Sequence, residues 1–322
     1  MSPSLQALRN ATSLDALYPV LSAQCMTAGW HKKRPSLWKT PRTEFQPRHW
    51  SYEVGRAALD QAGLWIGTEL AERRNLLLFN PVGDNDYDTV RTLVAAYQMI
   101  KPGEYARPHR HTPNALRFVL DAQPGVFSVV NGVQLPMCTG DVLLTPSDCW
   151  HSHFNDSPHN AYWIDILDVP LVHLLEPMFF EEHPHGEQAI EATPAAHPFW
   201  FQQADTAAAL AAAPNHQGVQ RHALNVADHF ATQQLQFHQL AAKASTGTHR
   251  STASRIFCVG SGSGQATLGD LQIQWQRGDV LAVPSWVPFE IQATEASQLF
   301  EVNDQPTLEK LGFYREIGRA HV

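Results

Sequence analysis

From Thr89 to about residue 170 the chain is written in short apolar runs separated by Gly, Pro and Asn turns. Pro124-Gly125, Asn131-Gly132 and Thr139-Gly140 cut this stretch into about seven strands, the pattern of an all-β barrel or sandwich. Upstream the period is helical: Leu5, Leu8, Leu14, Leu17 and Leu21 predict one or two short helices. A Pro- and Trp-rich passage to Trp50 has no clear period and reads as an extended arm wrapped over a barrel, since its aromatics need a place to bury. A helix around Val54–Ala62 and a strand Leu76–Phe79, ended by Asn80-Pro81, follow. Leu171–Phe180 and the Ala-rich Thr206–Ala213 are predicted helical, strands resume from Leu235 to Val302, and an amphipathic Leu308–Ile317 closes the chain.

Half of this pattern is a copy of the other half. Gly140-Asp141-Val142-Leu143-Leu144-Thr145-Pro146-Ser147 recurs as Gly278-Asp279-Val280-Leu281-Ala282-Val283-Pro284-Ser285, 138 positions later. The same offset places His111 on His249 and Arg117 on Arg255, but His109 on Gly247 and His151 on Phe289. The expected division is an N-terminal helical and extended arm over 1–88, a first barrel over 89–170, a connector over 171–230, a second barrel over 231–305 and a C-terminal helix over 306–322. The second barrel keeps one possible ligand of three, too few for a tight metal site, and is read as structural.

Composition narrows the partners. A formal charge of −8 and a pI near 6.1 argue against nucleic acid or an anionic membrane surface, and the basic run His31-Lys32-Lys33-Arg34-Pro35 is too short to reverse this. Cys25, Cys138, Cys149 and Cys258 lie far apart and read as reduced thiols. Neither a signal peptide nor a stretch of membrane-spanning length is evident, so the expected location is cytoplasmic.

The chemistry gathers between Gly103 and Asn155. In His109-Arg110-His111 the two imidazoles share one strand face while Arg110 points away. With a third imidazole from a distant strand they would cap one face of a divalent metal and leave the other open. Arg117, six residues after His111, faces the same interior by parity, where a guanidinium suits a carboxylate. Asp165 is a lone acid in Tyr162-Trp163-Ile164-Asp165-Ile166 and requires a buried partner.

Gly103-x5-His109-x-His111, Gly140-x5-Pro146 and His151-x3-Asn155 together resemble the two-part signature of the cupin barrel, and the repeat makes the chain a bicupin: two double-stranded β-helix, or jelly-roll, barrels with helical N-terminal and connecting segments. Glu72-Arg73-Arg74, His109-Arg110-His111-Thr112, Ala115-Leu116-Arg117-Phe118, Trp150-His151-Ser152-His153 and Pro284-Ser285-Trp286 resemble the gentisate and salicylate 1,2-dioxygenases. That resemblance implies Fe(II) held by His109, His111 and His151. It implies substrate contacts from Arg117, Gln98 and one of the adjacent pair Arg73 and Arg74, with Arg73 slightly favoured. It also implies proton transfer by His153, paired with Asp165; a salt bridge from Asp165 to an arginine is the other reading. The implied reaction is extradiol-type ring cleavage of a small aromatic hydroxy acid by dioxygen. Gentisate, opened between its carboxyl- and hydroxyl-bearing carbons to maleylpyruvate, comes first. Salicylate, a nitro- or halo-substituted salicylate and 1-hydroxy-2-naphthoate are alternatives, and a cupin isomerase or binding module is the reading from another class. Relatives imply a homo-oligomer, tetramer or dimer. Pro113, Val94 and Asp148 depart from the pattern of these relatives and bear on the choice of substrate more than on the metal.

Overall fold

The computed structural model describes residues 2–31, 36–68 and 73–317; Lys32–Pro35 of the basic run, Glu72 and the last five residues lie outside them. Met1–Pro41 and Arg42–Val322 are two separate compact units. In the first, helices Pro3–Asn10 and Leu14–Ala23 are each opened by a serine. Ser2 and Ser13 accept from the amides of Leu5 and Ala16, satisfying donors that a helix start leaves unpaired. Trp30 and Trp38 remain exposed, so the expected aromatic burial begins only with Phe45.

The second unit is a bicupin. Each barrel has one large and one small sheet, and alternation along the strands decides what each face meets. The large sheet of the first barrel runs Trp200–Phe201, Val142–Thr145, Ala115–Asp121, Ala161–Leu167, Val94–Ile100, Arg74–Leu77. Its small sheet runs Phe180–Glu182, Tyr105–His111, His151–Asn155, Val126–Val130, Val133–Pro136. The turn between the last two is Asn131-Gly132, both at positive φ (46° and 80°), the conformation that a two-residue hairpin with native twist demands. Leu116, Phe118, Leu120, Ile164 and Tyr97 point out of this barrel, into a core shared with Phe237, Ile256, Phe300 and Val302 of the second. Val119, Leu143, Trp163 and Met137 fill the first barrel from inside.

Segments outside the expected barrel limits join the sheets. Arg74–Leu77 is the edge strand of the first barrel's large sheet, and Arg48–Trp50 pairs with Val280–Val283 of the second barrel. Around the connector the helices are Val169–Leu175 and Gln203–Ala212; the rest of the expected Leu171–Phe180 helix leads into strand Phe180–Glu182, beside His109 and His111. The closing helix is only Gln305–Lys310; Gly312 follows at φ +72°, and Glu316–Ile317 is a strand paired with Arg250–Ser251.

The repeat is real, but its register is corrected. Gly140 and Gly278, and likewise Asp148 and Trp286, share positive φ at an offset of 138. The strand pairing before these motifs is offset by 140 instead. Arg117 stands opposite Leu143, whereas Phe257, not Arg255, stands opposite Leu281. His109 pairs with His151, and His249 bridges Phe289. Asp148 N donates to His111 O and Trp286 N to Ser251 O (2.9 and 2.7 Å). His249 therefore matches His109, Ser251 matches His111, Phe257 matches Arg117, and Arg255 matches Ala115.

Candidate metal centre and substrate pocket

His109 and His111 lie on strand Tyr105–His111, and His151 opens the neighbouring strand His151–Asn155. One ring nitrogen from each lies within 4.8 Å of the others. Each imidazole has its Nδ1 against a backbone carbonyl: His109 against Arg107 O (3.0 Å), His111 against Pro113 O (2.8 Å), His151 against Cys149 O (3.0 Å). A carbonyl only accepts, so Nδ1 carries the proton in all three and the lone pair sits on Nε2. Burial, with the positive charge of Arg73, pushes the His109 imidazole down to about 3, and burial lowers His111 and His151 as well. Three neutral rings, each with its lone pair on Nε2, suit a divalent metal. Nε2 of His151 is sealed from solvent and has no hydrogen-bond partner, a cost a metal would remove. The donor set fits a metal.

His153, two residues on, shares the face of His151, but its nitrogens are both engaged. Nε2 is 2.8 Å from Arg117 Nη2, and since a guanidinium only donates, the ring accepts there. Nδ1 then donates to Ser128 Oγ (2.9 Å), which donates on to Met137 Sδ. Burial and the Arg117 charge lower the His153 imidazole far below its usual value, so the ring is neutral. Of the two expected partners of Asp165, the structure pairs it with arginines and not with His153. Its carboxylate lies between two arginines, 3.5 Å from Arg117 Nε and 3.6 Å from Arg73 Nη2. Strand register is the cause: Asp165 stands opposite Arg117 on one side and Ala96 on the other. Two guanidiniums around one carboxylate leave a net positive charge beside the three imidazoles.

Arg117 is fully enclosed. Nη1 donates to Thr145 Oγ1 (2.7 Å) and Nη2 to His153, leaving one further N–H on each. Burial lowers its pKa to about 10 against the opposing pull of Asp165. Arg73 and Arg74 point oppositely. Arg74 is buried in a two-pronged pair with Glu104, whereas Arg73 donates through Nε to Gln98 Oε1 (3.0 Å). Arg73, Gln98 and Asp165 form the polar wall of a cavity of about 400 Å³ whose aliphatic walls are Leu77, Val94, Ala96 and Leu167. Its outer rim carries Asp86, Tyr87 and His173, with the Tyr87 hydroxyl hydrogen-bonded to His173 Nδ1.

Sequence reasoning missed Thr145, Ser128, Tyr87 and His173. Thr145 was findable, because it shares the inward face of its strand with Leu143, the partner of Arg117. Asn155, the last residue of the histidine motif, is structural: its amide bridges Ile100 O and His159 O.

Two barrels, one of which aims three imidazole nitrogens at a common point beside an arginine-walled cavity, define a bicupin with a single metal centre among the described residues. Residues 96–167 match the model of the cupin domain. The chain is 31% identical to gentisate 1,2 dioxygenase 1 of Aquipseudomonas alcaligenes, over 93% of this chain and 94% of the relative. It is 32% identical to 5-aminosalicylate 1,2-dioxygenase of Comamonas sp, over 95% and 90%. Salicylate 1,2-dioxygenase from Pseudoaminobacter salicylatoxidans, solved with gentisate, superposes with a TM-score of 0.89 at 28% identity, covering 97% of this chain and 95% of that one. The chain belongs to the gentisate 1,2-dioxygenase family of ring-cleaving dioxygenases. The expected extradiol label does not hold for this family. A 1,2 break falls between the carboxyl- and hydroxyl-bearing carbons, so no vicinal diol exists for the break to lie outside. No helix among the described residues is long and apolar enough to cross a membrane.

Proposed function

We propose that the chain is an iron(II)-dependent dioxygenase that opens a 2-hydroxybenzoate ring between its carboxyl- and hydroxyl-bearing carbons, with gentisate as substrate and maleylpyruvate as product. The observation that carries this reading is the three-imidazole cluster with Arg73, a wall of the cavity that also holds Gln98 and Asp165, near enough for its charge to act on His109. His109, His111 and His151 hold the metal, which supplies the redox chemistry linking dioxygen to the ring. Three neutral ligands leave its full double charge for an anionic hydroxy acid. Both oxygen atoms enter the product and no external reductant is consumed.

The protein's own groups orient the acid. Arg73, a wall of the cavity, meets the carboxylate, and Gln98 holds Arg73 in place. Arg117 adds charge from behind and has one N–H on each Nη for a carboxylate oxygen. His153 fixes Arg117, so in this reading it is a positioning residue before it is a proton carrier. Gentisate is favoured over plain salicylate because the rim of Asp86, Tyr87 and His173 offers polar partners to a second ring substituent. The same rim suits an amino group, and a relative of this chain is a 5-aminosalicylate dioxygenase.

The test is anaerobic loading with iron(II), followed by oxygen uptake against gentisate, 5-aminosalicylate, salicylate and 1-hydroxy-2-naphthoate. One mole of oxygen per mole of gentisate, with maleylpyruvate formed, is expected. Turnover indifferent to oxygen would replace this reading with an isomerase using the metal as a Lewis acid.

A further inference from the structure

The second barrel has a cavity of its own, about 250 Å³, at the place that corresponds to the metal centre of the first. Its walls are the register equivalents of that centre, chemically rewritten. His249 stands for His109, but Phe289 replaces His151 and Phe257 replaces Arg117, and the two phenyl rings sit 5.6 Å apart. Glu301 stands opposite Phe257 as Asp165 stands opposite Arg117, and His238 stands opposite Leu299 as Gln98 stands opposite Trp163.

The charges of the described residues in this cavity are matched. Arg255 is ion-paired with Glu301, and the His238 ring donates to Glu301 (2.7 Å) while accepting from Arg221 (3.3 Å). Burial alone would raise the Glu301 carboxyl, but Arg255 and the His238 hydrogen bond outweigh it and hold the group ionised. His249 Nε2 donates to Thr246 O (2.7 Å), and its other nitrogen faces Glu316. Among the described residues that line it, two arginines stand against two glutamates and offer an ion no surplus charge, so an ion brought in would lose its hydration uncompensated. What the cavity does offer is aromatic surface and uncharged polarity: Phe257, Phe289 and Tyr314 with Gln234, Gln236 and Gln305. Among the described residues the Gln236 carboxamide has no hydrogen-bond partner. The volume lies below the ~300–1,000 Å³ of drug-sized sites and suits a single ring.

We infer that the second barrel is a metal-free binding site for a small uncharged hydroxylated ring compound, a phenol without a carboxylate. The ring lies against Phe257 and Phe289, and a hydroxyl meets the Gln236 carboxamide. The first barrel selects the opposite class: it has Arg117 where the second has Phe257, and surplus positive charge where the described walls of the second have none. Ligand discrimination thus diverged with the loss of the metal.

The test uses full-length, metal-loaded protein, with resorcinol as probe and benzoate as charged comparator, read by calorimetry and saturation-transfer NMR. Resorcinol should bind at one site insensitive to Ala96→Trp, which fills the first barrel's cavity. Gln236→Leu should weaken it by roughly three- to tenfold, the size of one neutral hydrogen bond. Phe289→Trp should abolish it by filling the cavity. Because Phe289→Trp can disturb packing, Gln236→Leu carries the decision, with metal content and ring cleavage expected unchanged. Binding that ignores Gln236→Leu, benzoate binding there as tightly as resorcinol, or no binding that survives Ala96→Trp would each overturn the inference.

Discussion

Arg117 Nη2 and His153 Nε2 are 2.8 Å apart, and the proton between them belongs to the arginine. The imidazole is thereby held as an acceptor on one side and a donor to Ser128 on the other. This makes two roles for His153 separable. His153→Ala should keep its metal but leave a buried donor unsatisfied, costing about 1–3 kcal/mol of stability and lowering turnover. His153→Gln, whose carbonyl can still accept from Arg117, should recover much of that turnover if the ring positions the guanidinium. Only an imidazole would do if it carried protons, so a Gln variant as slow as the Ala variant would assign it that role.

Metal content gives an independent check on the ligand set. His151→Ala should lose the metal, and His249→Ala should retain a full equivalent, since Phe289 and Ser251 occupy the other two positions around His249. Elemental analysis showing two tightly held metals per chain would contradict both the register and the assignment.

The two arginines should respond differently to lysine. Arg73 lines the cavity, so Arg73→Lys should raise KM for the hydroxy acid with stability nearly unchanged. Arg117→Lys gives up a planar fork that serves Thr145 and His153 at once. It should lower thermal stability as well as raise KM, with iron retained. Steady-state constants alongside thermal melts distinguish the two patterns.

Asp165 balances both guanidiniums from a fully buried position. Asp165→Asn keeps the shape and removes the charge, leaving two cations facing each other. Loss of one partner of a buried pair typically costs about 3–5 kcal/mol. Denaturant unfolding should show a loss of that order.

Asp304 supplies a pH signature away from the site. Burial raises its carboxyl to about 6, against hydrogen bonds from Thr92 and Ser254 that lower it. A folded-state pKa above the unfolded one means the folded chain holds the proton more tightly. The stabilisation is therefore full below about pH 4 and is lost as pH rises through 6. From pH 4 to 7 this group should cost the wild type up to ~3 kcal/mol that Asp304→Asn does not lose. Equal pH slopes in the two proteins would show that Asp304 titrates normally.

The histidine and glycine motifs made the metal-bearing barrel legible, because ligand spacing and strand parity are local properties. The repeat was legible too, but its register was not. A slip of two residues leaves every side chain on its original face, so the hydrophobic alternation reads the same at 138 and at 140. Only pairing across the sheet shows that Phe257 rather than Arg255 occupies the place of Arg117. Asp165 illustrates the same limit. As a lone acid in an apolar run it called for a buried partner, but the choice between His153 and the arginines depends on which residues stand opposite, with a register shift at Tyr162/Trp163. The closing helix was over-extended because its amphipathic pattern runs past Gly312, where the left-handed backbone stops it.

Strand Ala115–Asp121 has two sides with different obligations. Arg117 looks into the metal-bearing barrel, while Phe118 beside it rests on Phe237 and Phe300 of the other barrel, with ring centroids 6.0 and 5.1 Å away. A repeat without a metal-ligand set among its described residues is ordinarily free to change. Here only its interior has that freedom, because its outer face is the bed on which the working copy's arginine strand lies. Inheritance should thus act on the two sides of one sheet by different rules, tolerating new chemistry within the second barrel while refusing change at its back.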